Sequence, residues 1–348
     1  MSTIKEVADL AGVSIGTVSH VISGAVPVSD QLRRKVLAAI RTLDYHPNHI
    51  ARSLKTSKTR TLGIVVPDMT IPFFPKVIRG AEAAARKEGY SVIAVNSDDN
   101  AARQKEVMSL LRSQRVEGVL LVAAAGQGSF AQVPKLVASG IPIVCLDRVP
   151  DRMEVDSVCV EDCAAAEMGV SHLVATGHKT IAIITGPLTL KNEQERLRGY
   201  KHALERAGLR VKESLIWEGD LNQENVARLC REHLQNPESR VTALFTTNGV
   251  TGLGALRGIY AAGLKTPHDI AFVTFDELTS EDLFRPAITA VVQPAYDIGF
   301  RATEILLDRI TGKNSSRSKV AIRLPAALHV RESSARSEKA AAEGFSHV

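Results

Sequence analysis

Gly16, Thr17, Ser19, His20 and Ser23 fall on one side of a short stretch beginning at Ile15. Hydroxyls and an imidazole can donate to or accept from base edges and phosphates, and a glycine lets the backbone come close. That combination suits a helix lying in a DNA major groove. On the opposite side Val18, Val21 and Ile22 point inward. The preceding element repeats Ile4, Val7, Ala8 and Ala11 at helical spacing, which predicts one buried stripe. Gly12 suits the end of that helix because it tolerates a left-handed backbone, and the Ser14 hydroxyl can cap the next. Residues 3–23 therefore read as a helix-turn-helix. Two ordinary surface helices would not require the small residues, the tight turn and the polar outer face together. A third helix is expected from Ser29 to Asp44, with Leu32, Val36, Ile40 and Leu43 facing inward.

The charge distribution points the same way. The chain of 348 residues has a formal net charge of +5. Its first 60 residues carry Lys5, Arg33, Arg34, Lys35, Arg41, Arg52, Lys55, Lys58 and Arg60 against only Glu6, Asp9, Asp30 and Asp44. The whole excess thus sits beside the helix-turn-helix, where phosphate neutralisation would use it. Aromatic residues make up only 4%, which disfavours single-strand binding by base stacking.

An apolar content of 45% is enough for substantial cores. Cys145, Cys159, Cys163 and Cys230 show neither C-x-x-C nor zinc spacing, so reduced thiols in a cytoplasmic protein are expected. The beginning of the chain is acidic and amphipathic, unlike a signal peptide. No apolar run approaches the ~18 residues that span a membrane. Enzyme motifs fail on context. Gly12-Val-Ser-Ile-Gly16 spells a hydrolase elbow, but the motif needs a strand before its serine and more of the sheet upstream. Neither a dinucleotide fingerprint nor a P-loop occurs, the histidines lack metal-ligand spacing, and no cofactor is expected. Gly252-Leu-Gly254 is mid-helix and reads as close packing.

After Pro47 a short helical stretch, Asn48 to Leu54, leads into the polar, basic segment Lys55 to Thr61. The pattern then alternates. Apolar runs at Leu62–Val66, Ser91–Val95, Gly118–Val122 and Ile143–Leu146 are separated by helical stretches near 74–88, 101–115 and 130–139. A second series places strands at Ile181–Thr185, Ile216–Trp217, Ala243–Thr246 and Ile270–Phe275. Helices are expected near 163–176, 194–207, 222–236 and 249–262. Such an order predicts two doubly wound parallel-sheet lobes with a cleft between them. The expected boundaries are a headpiece at 1–46, a hinge helix and linker at 47–60, a two-lobed core at 61–333, and a flexible tail at 334–348. Lobe one takes about 61–160 and 292–320, and lobe two about 161–291 and 321–333.

Along nearly its whole length, from Thr3 to about Ser333, the chain resembles the LacI/GalR family of bacterial transcription regulators. The resemblance rests on Thr3-Ile-Lys-Glu-Val-Ala, Ala11-Gly-Val-Ser14, Thr17-Val-Ser-His-Val-Ile22 and the hinge Pro47-Asn-His-Ile-Ala-Arg-Ser-Leu-Lys55. It continues through Leu62-Gly-Ile-Val-Val-Pro67, Phe73-Phe74, Gly80, Gly177-His178, Arg196-x-x-Gly199-Tyr200, Phe275-Asp276, Thr289 and Gln293-Pro294. It implies a headpiece, a hinge helix and a periplasmic-binding-protein-like core (type I) that dimerises and binds a small effector. It implies too that Ile15, Gly16 and His20 face bases, that Thr17 and Ser19 face phosphate, and that Ser14 caps the reading helix. In the hinge, Asn48, Ala51, Leu54 and Lys55 become DNA-facing candidates, with Leu54 wedged into the minor groove to kink the duplex. An eight-residue hinge cannot hold a helix alone, so its order should depend on DNA and on dimer spacing.

The same resemblance implies an effector cleft at strand ends, lined by Phe73, Phe74, Asp147, Arg148, Arg196, Asn248 and Asp276. A carboxylate and a guanidinium can hold vicinal hydroxyls and an aromatic can stack on a sugar ring, so a sugar or sugar derivative is expected. Arg196 could equally be a structural ion pair, and the two phenylalanines core. The family usually has Asn-Asp where this chain has Asn248-Gly249, which weakens any particular sugar pattern. Leu190 and Asn192 offer no charged contact. A dimeric repressor of a palindromic operator is the expected function, with an activator as the alternative. A free sugar-binding protein would carry a signal peptide and no basic headpiece. The tail lacks a leucine heptad, so dimers rather than tetramers are expected.

Overall fold

The computed structural model describes residues 2–23, 26–45, 58–126, 128–150, 153–278, 285–312 and 318–335. Two compact units divide it, one up to Thr59 and one from Arg60 onward. In the first, α1 (Ile4–Ala11) starts at a reciprocal cap. The Glu6 amide donates to Thr3 Oγ1 at 3.3 Å, and the Thr3 amide donates to Glu6 Oε2 at 2.8 Å. Gly12 ends the helix at φ +66°, a conformation a side chain would oppose. Ser14 Oγ then accepts from the Thr17 amide at 3.2 Å and opens α2 (Ile15–Ser23). α3 spans Asp30–Thr42. Val7, Ala8, Ala11, Val18, Val36 and Ala39 form the buried core. Leu32, expected inside, is exposed, and Ala39 takes the buried place. Leu32 lies in the first turn of α3, at the edge of a small core to which that helix contributes Val36 and Ala39.

The second unit contains two six-stranded sheets. The first runs β2 (Ser91–Asn96), β1 (Thr61–Val66), β3 (Gly118–Leu121), β4 (Ile143–Leu146), β5 (Asp156–Val160) and β11 (Ala321–Leu324), all parallel. The second runs β7 (Ile216–Glu218), β6 (Ile181–Thr185), β8 (Ala243–Thr246), β9 (Ala271–Phe275), β10 (Thr289–Val292) and β12 (Ala327–His329). Here β12 is antiparallel. Helices connect the parallel strands: α4 (Phe73–Lys87), α5 (Ala101–Ser113) and α6 (Val133–Ala138) in lobe one. Lobe two has α7 (Asp162–Ala175), α8 (Lys191–Arg206), α9 (Gln223–Gln235) and α10 (Gly249–Ala261). The chain returns to lobe one through α11 (Ala295–Thr311). It therefore crosses between lobes three times, after β5, after β10 and after β11.

Two expectations need correction. Residues 321–324 belong to the first sheet, pairing with β5, so lobe two regains the chain only at β12. A strand pattern in sequence does not say which sheet edge it will meet. Nor does the tail loosen at 334. Ser333 and Ser334 are buried, with Ser333 Oγ donating to the Phe272 carbonyl at 2.6 Å and His172 Nε2 lying 2.8 Å from Ser334 Oγ.

Glycines set the helix pairs. A Cβ on Gly299 of α11 would sit 1.9 Å from the Val77 carbonyl of α4, and one on Gly80 would sit 2.0 Å from Tyr296 O. On lobe two a Cβ at Gly199 would fall 2.1 Å from Cys163 O. Next to it Tyr200 is buried and its hydroxyl donates to Ile181 O at 2.8 Å, tying α8 to β6. Among the described residues no helix is long and apolar enough to cross a membrane.

Candidate functional site

The carboxyl ends of the strands in both lobes open onto one cleft of about 690 Å³, where open parallel sheets present ligand sites. Phe73, Phe74, Asp147, Arg148, Arg196, Asn248 and Asp276 all line it. So do Asp68, Asp98, Asp99, Asn192, Glu193, Glu224, Arg257 and Gln293. Asp98 and Asp99 follow β2, Asp147 follows β4 and Asp276 follows β9. All four have left-handed φ, at +53°, +50°, +56° and +69°. For a residue with a Cβ this costs about 1 kcal/mol, so strain is concentrated at the cleft.

Arg196 is the centre of the charge network and is almost wholly buried. Its Nε donates to Asp162 Oδ1 at 2.7 Å and its Nη1 to the Thr247 carbonyl at 2.8 Å. Nη2 reaches Asp147 Oδ1 of lobe one at 3.4 Å. Its guanidinium also lies 3.9 Å from the centre of the Phe275 ring. Burial alone would weaken its charge, but Asp162, Asp147, Glu193 and Asp276 hold its pKa above the ordinary range. The carboxylates are not equally satisfied. Burial pushes Asp162 up to about 7, against the pull of Arg196. Burial likewise pushes Asp276 up to about 6, although Arg196 and a 2.9 Å hydrogen bond from Gln293 Nε2 oppose it. Several buried carboxylates around one guanidinium cannot all stay fully ionised without cost.

Packing and a place on the cleft coincide at three of the expected site residues. Arg196 is a structural ion pair and also faces the cleft. Phe73 and Phe74 pack edge-to-face at 5.2 Å within the lobe-one core and still line the opening. Arg148 is held inside its own lobe, by Asp99 and by the Ala123 carbonyl at 2.9 Å. Asn248 caps α10, accepting from the Thr251 amide at 2.9 Å, while its Nδ2 donates to Glu193 Oε1 at 2.9 Å.

Glu193 is the most deeply placed of the residues that sequence reasoning missed. It is 2% exposed, accepts from the Gly186 amide at 2.9 Å and bonds the Thr247 hydroxyl. It places a carboxylate beside Asn248 where Gly249 supplies none. A glutamate in the first turn of a helix beside a strand end was the available signal. Gln293 and Asp99, which also line the cleft, and Asp162, which holds Arg196, lie outside the expected set as well. At the mouth of the cleft Lys76 of lobe one and Glu277 of lobe two pair at 2.7 Å, and Arg331 joins Glu277 at 3.0 Å.

On the headpiece the outer face of α2 is open: Ile15, Gly16 and His20 are exposed, and Ser14 beside them. Ile15 stands out as an apolar side chain left 48% exposed on a helix with a formed core behind it. Thr17 and Ser19 are half-buried, and the hydroxyls of Ser14 and Thr17 bond each other at 3.0 Å. The hinge positions Asn48, Ala51, Leu54 and Lys55 lie outside the described residues.

Comparison with known proteins matches both units. Residues 3–48 fit the bacterial regulatory proteins of the lacI family, and residues 59–329 fit the periplasmic binding proteins and sugar binding domain of the LacI family. The HTH-type transcriptional repressor PurR of Aliivibrio salmonicida is 34% identical over 318 residues, covering 91% of this chain and 95% of that protein. The ribose operon repressor of Escherichia coli K12 is 33% identical over 311 residues, covering 89% and 94%. The structure of the lac repressor dimer bound to operator and an anti-inducer superimposes with a TM-score of 0.81 at 28% identity, over 96% of this chain and 99% of that one. With its DNA-reading headpiece and its two-lobed core both accounted for, the chain belongs to the LacI family of bacterial transcription regulators.

Proposed function

We propose that this protein is a repressor that binds a two-fold symmetric operator as a homodimer and changes its grip when a sugar or sugar derivative occupies the interlobe cleft. On DNA, Ile15, Gly16 and His20 would meet bases, Thr17 and Ser19 phosphates, and Ser14 would hold the reading helix. Asn48, Ala51, Leu54 and Lys55 would engage the minor groove and backbone. In the cleft, Asp147, Asp276 and Asn248 would take ligand hydroxyls beside Arg148 and Arg196, with Phe73 and Phe74 against the ring. The observation that carries the reading is the gathering of strained aspartates from both lobes onto one opening. Three chain crossings let the lobes rotate about that opening, so a ligand touching both lobes can bias their angle. The bacterial cytoplasm, where the DNA lies, is the proposed location.

Selection of binding sites from a random duplex library tests this directly. Recovery of an inverted repeat is expected, and release or tightening by one member of a sugar panel. An asymmetric site bound by monomers, or a repeat whose retention no sugar alters, would overturn it. Leu54→Ala should lose most specific binding while the core keeps its ligand; unchanged operator affinity would remove the hinge from the mechanism.

A further inference from the structure

We propose that the cleft selects an uncharged polyhydroxy ligand and rejects the phosphorylated and carboxylated forms of the same molecule. The proposal rests on the reading that this cleft is the effector site. Seven of its lining residues are acidic and three are basic. Both buried guanidiniums are already occupied. Arg148 is taken by Asp99 and the Ala123 carbonyl, and Arg196 by Asp162, the Thr247 carbonyl and Asp147. To take the Nη hydrogens of either one, an incoming phosphate would have to displace a carboxylate, within reach of further carboxylates. The third cation, Arg257, lies exposed at the rim, where solvent screens it.

Helix N-termini, the other usual phosphate cradle, are poorly placed to help: α4 opens with Pro72 and Pro75, which carry no amide hydrogen, α8 has Glu193 in its first turn, and the remaining two are capped. Asn222 Oδ1 accepts from the amides of Glu224 and Asn225 at the start of α9, and Asn248 caps α10. Glu193 occupies the Gly186 amide at the end of β6. What remains suits hydroxyls. Among the described buried side chains, Arg148 Nε has no acceptor and Gln293 Oε1 has no donor, and both residues line the cleft. A hydroxyl can serve either, since it donates and accepts, and carboxylate lone pairs take its hydrogen. A phosphate or carboxylate group standing in place of such a hydroxyl can serve Arg148 Nε but cannot donate to Gln293 Oε1, and it meets the carboxylates as a like charge.

Calorimetric titration of the full chain with D-ribose, D-glucose and cellobiose, then with ribose 5-phosphate, glucose 6-phosphate and gluconate, tests the charge rule. A neutral sugar should bind, and its anionic counterpart at least 100-fold more weakly. An anion binding within tenfold of its neutral parent, or binding where the parent does not, would overturn the proposal. Asp99→Asn, which uncovers Arg148, should narrow the gap by at least tenfold. Asp98→Asn, on a side chain 66% exposed, repeats the test without disturbing a buried contact and should narrow it less. An unchanged gap in both variants would show that charge is not the cause. Operator retention measured alongside separates the two ideas. A neutral sugar that binds without altering retention defeats the effector reading and leaves the charge selectivity standing.

Discussion

The two lobes follow the same strand order, β2-β1-β3-β4-β5 in one and β7-β6-β8-β9-β10 in the other, and then diverge. Their equivalent strands β4 and β9 each end in an aspartate with left-handed φ, Asp147 and Asp276. The next residue is Arg148 in lobe one and Glu277 in lobe two. Arg148 turns inward and is neutralised within its own lobe by Asp99, whereas Glu277 sits at the mouth and draws Lys76 across from lobe one. The buried cation of lobe two, Arg196, bonds Asp162 and the Thr247 carbonyl of its own lobe and, unlike Arg148, also reaches across to Asp147. Repeating a topology therefore does not repeat its electrostatics. One lobe settles its buried charge internally, and the other shares part of it with its partner.

The largest test of that asymmetry is removal of each arginine. Arg196→Ala strands buried Asp162 and Glu193 and should cost about 3–5 kcal/mol in denaturant unfolding, with loss of effector response. Arg148→Ala leaves Asp99, which is partly solvated, and should cost clearly less. Equal losses would erase the distinction between the lobes. Helix packing should show no such distinction. Gly299→Ala and Gly199→Ala each drive a Cβ into a carbonyl and should each cost about 1–3 kcal/mol by overpacking. A tolerated substitution in one lobe alone would mean that its helices can part.

Titration provides a smaller, lobe-specific effect. Asp162 and Asp276 have pKa values raised to about 7 and about 6, so each burdens the folded state when ionised. That cost is present above the folded value and is relieved as pH falls toward the ordinary carboxylate range. The wild type should therefore gain stability relative to Asp162→Asn between pH 8 and pH 5, by a few degrees in a thermal melt. A difference that grows toward alkaline pH in favour of the wild type would reverse the assignment. The smallest effect is at the mouth. Lys76 is 54% exposed, and Lys76→Ala should cost only about 0.2–1 kcal/mol, vanishing at high salt. A loss several times larger would make this pair a latch rather than a trim.

Much of this was legible from residues alone. The stripe of Val7, Ala8 and Ala11, the turn at Gly12 and the cap at Ser14 lie close in sequence, where local geometry rules. Thr3-x-x-Glu6 also spelled its capping box in plain letters, though it was not among the expected features. The alternation of apolar runs and helices located nearly every element of the core. It passed over β5, because Asp156 interrupts the pattern with a buried charge. Its partner Arg309, bonded at 2.8 and 3.0 Å, stands far along the chain. Arg323 and Leu324, expected in lobe two, belong to a strand of the first sheet, because strand periodicity says nothing of which sheet edge is free.

What the sequence by itself determined is the order of elements, the DNA-reading unit, the family and the seven residues that face one cleft. Periodicity, capping and motif spacing are short-range properties, written within a turn or a strand. Only the tertiary structure decided that Arg196 binds both lobes, that Glu193 supplies a carboxylate beside Asn248, and that β11 joins the first sheet. Those outcomes depend on which distant groups desolvation forces together, and a buried charge takes whatever partner the packing brings within reach.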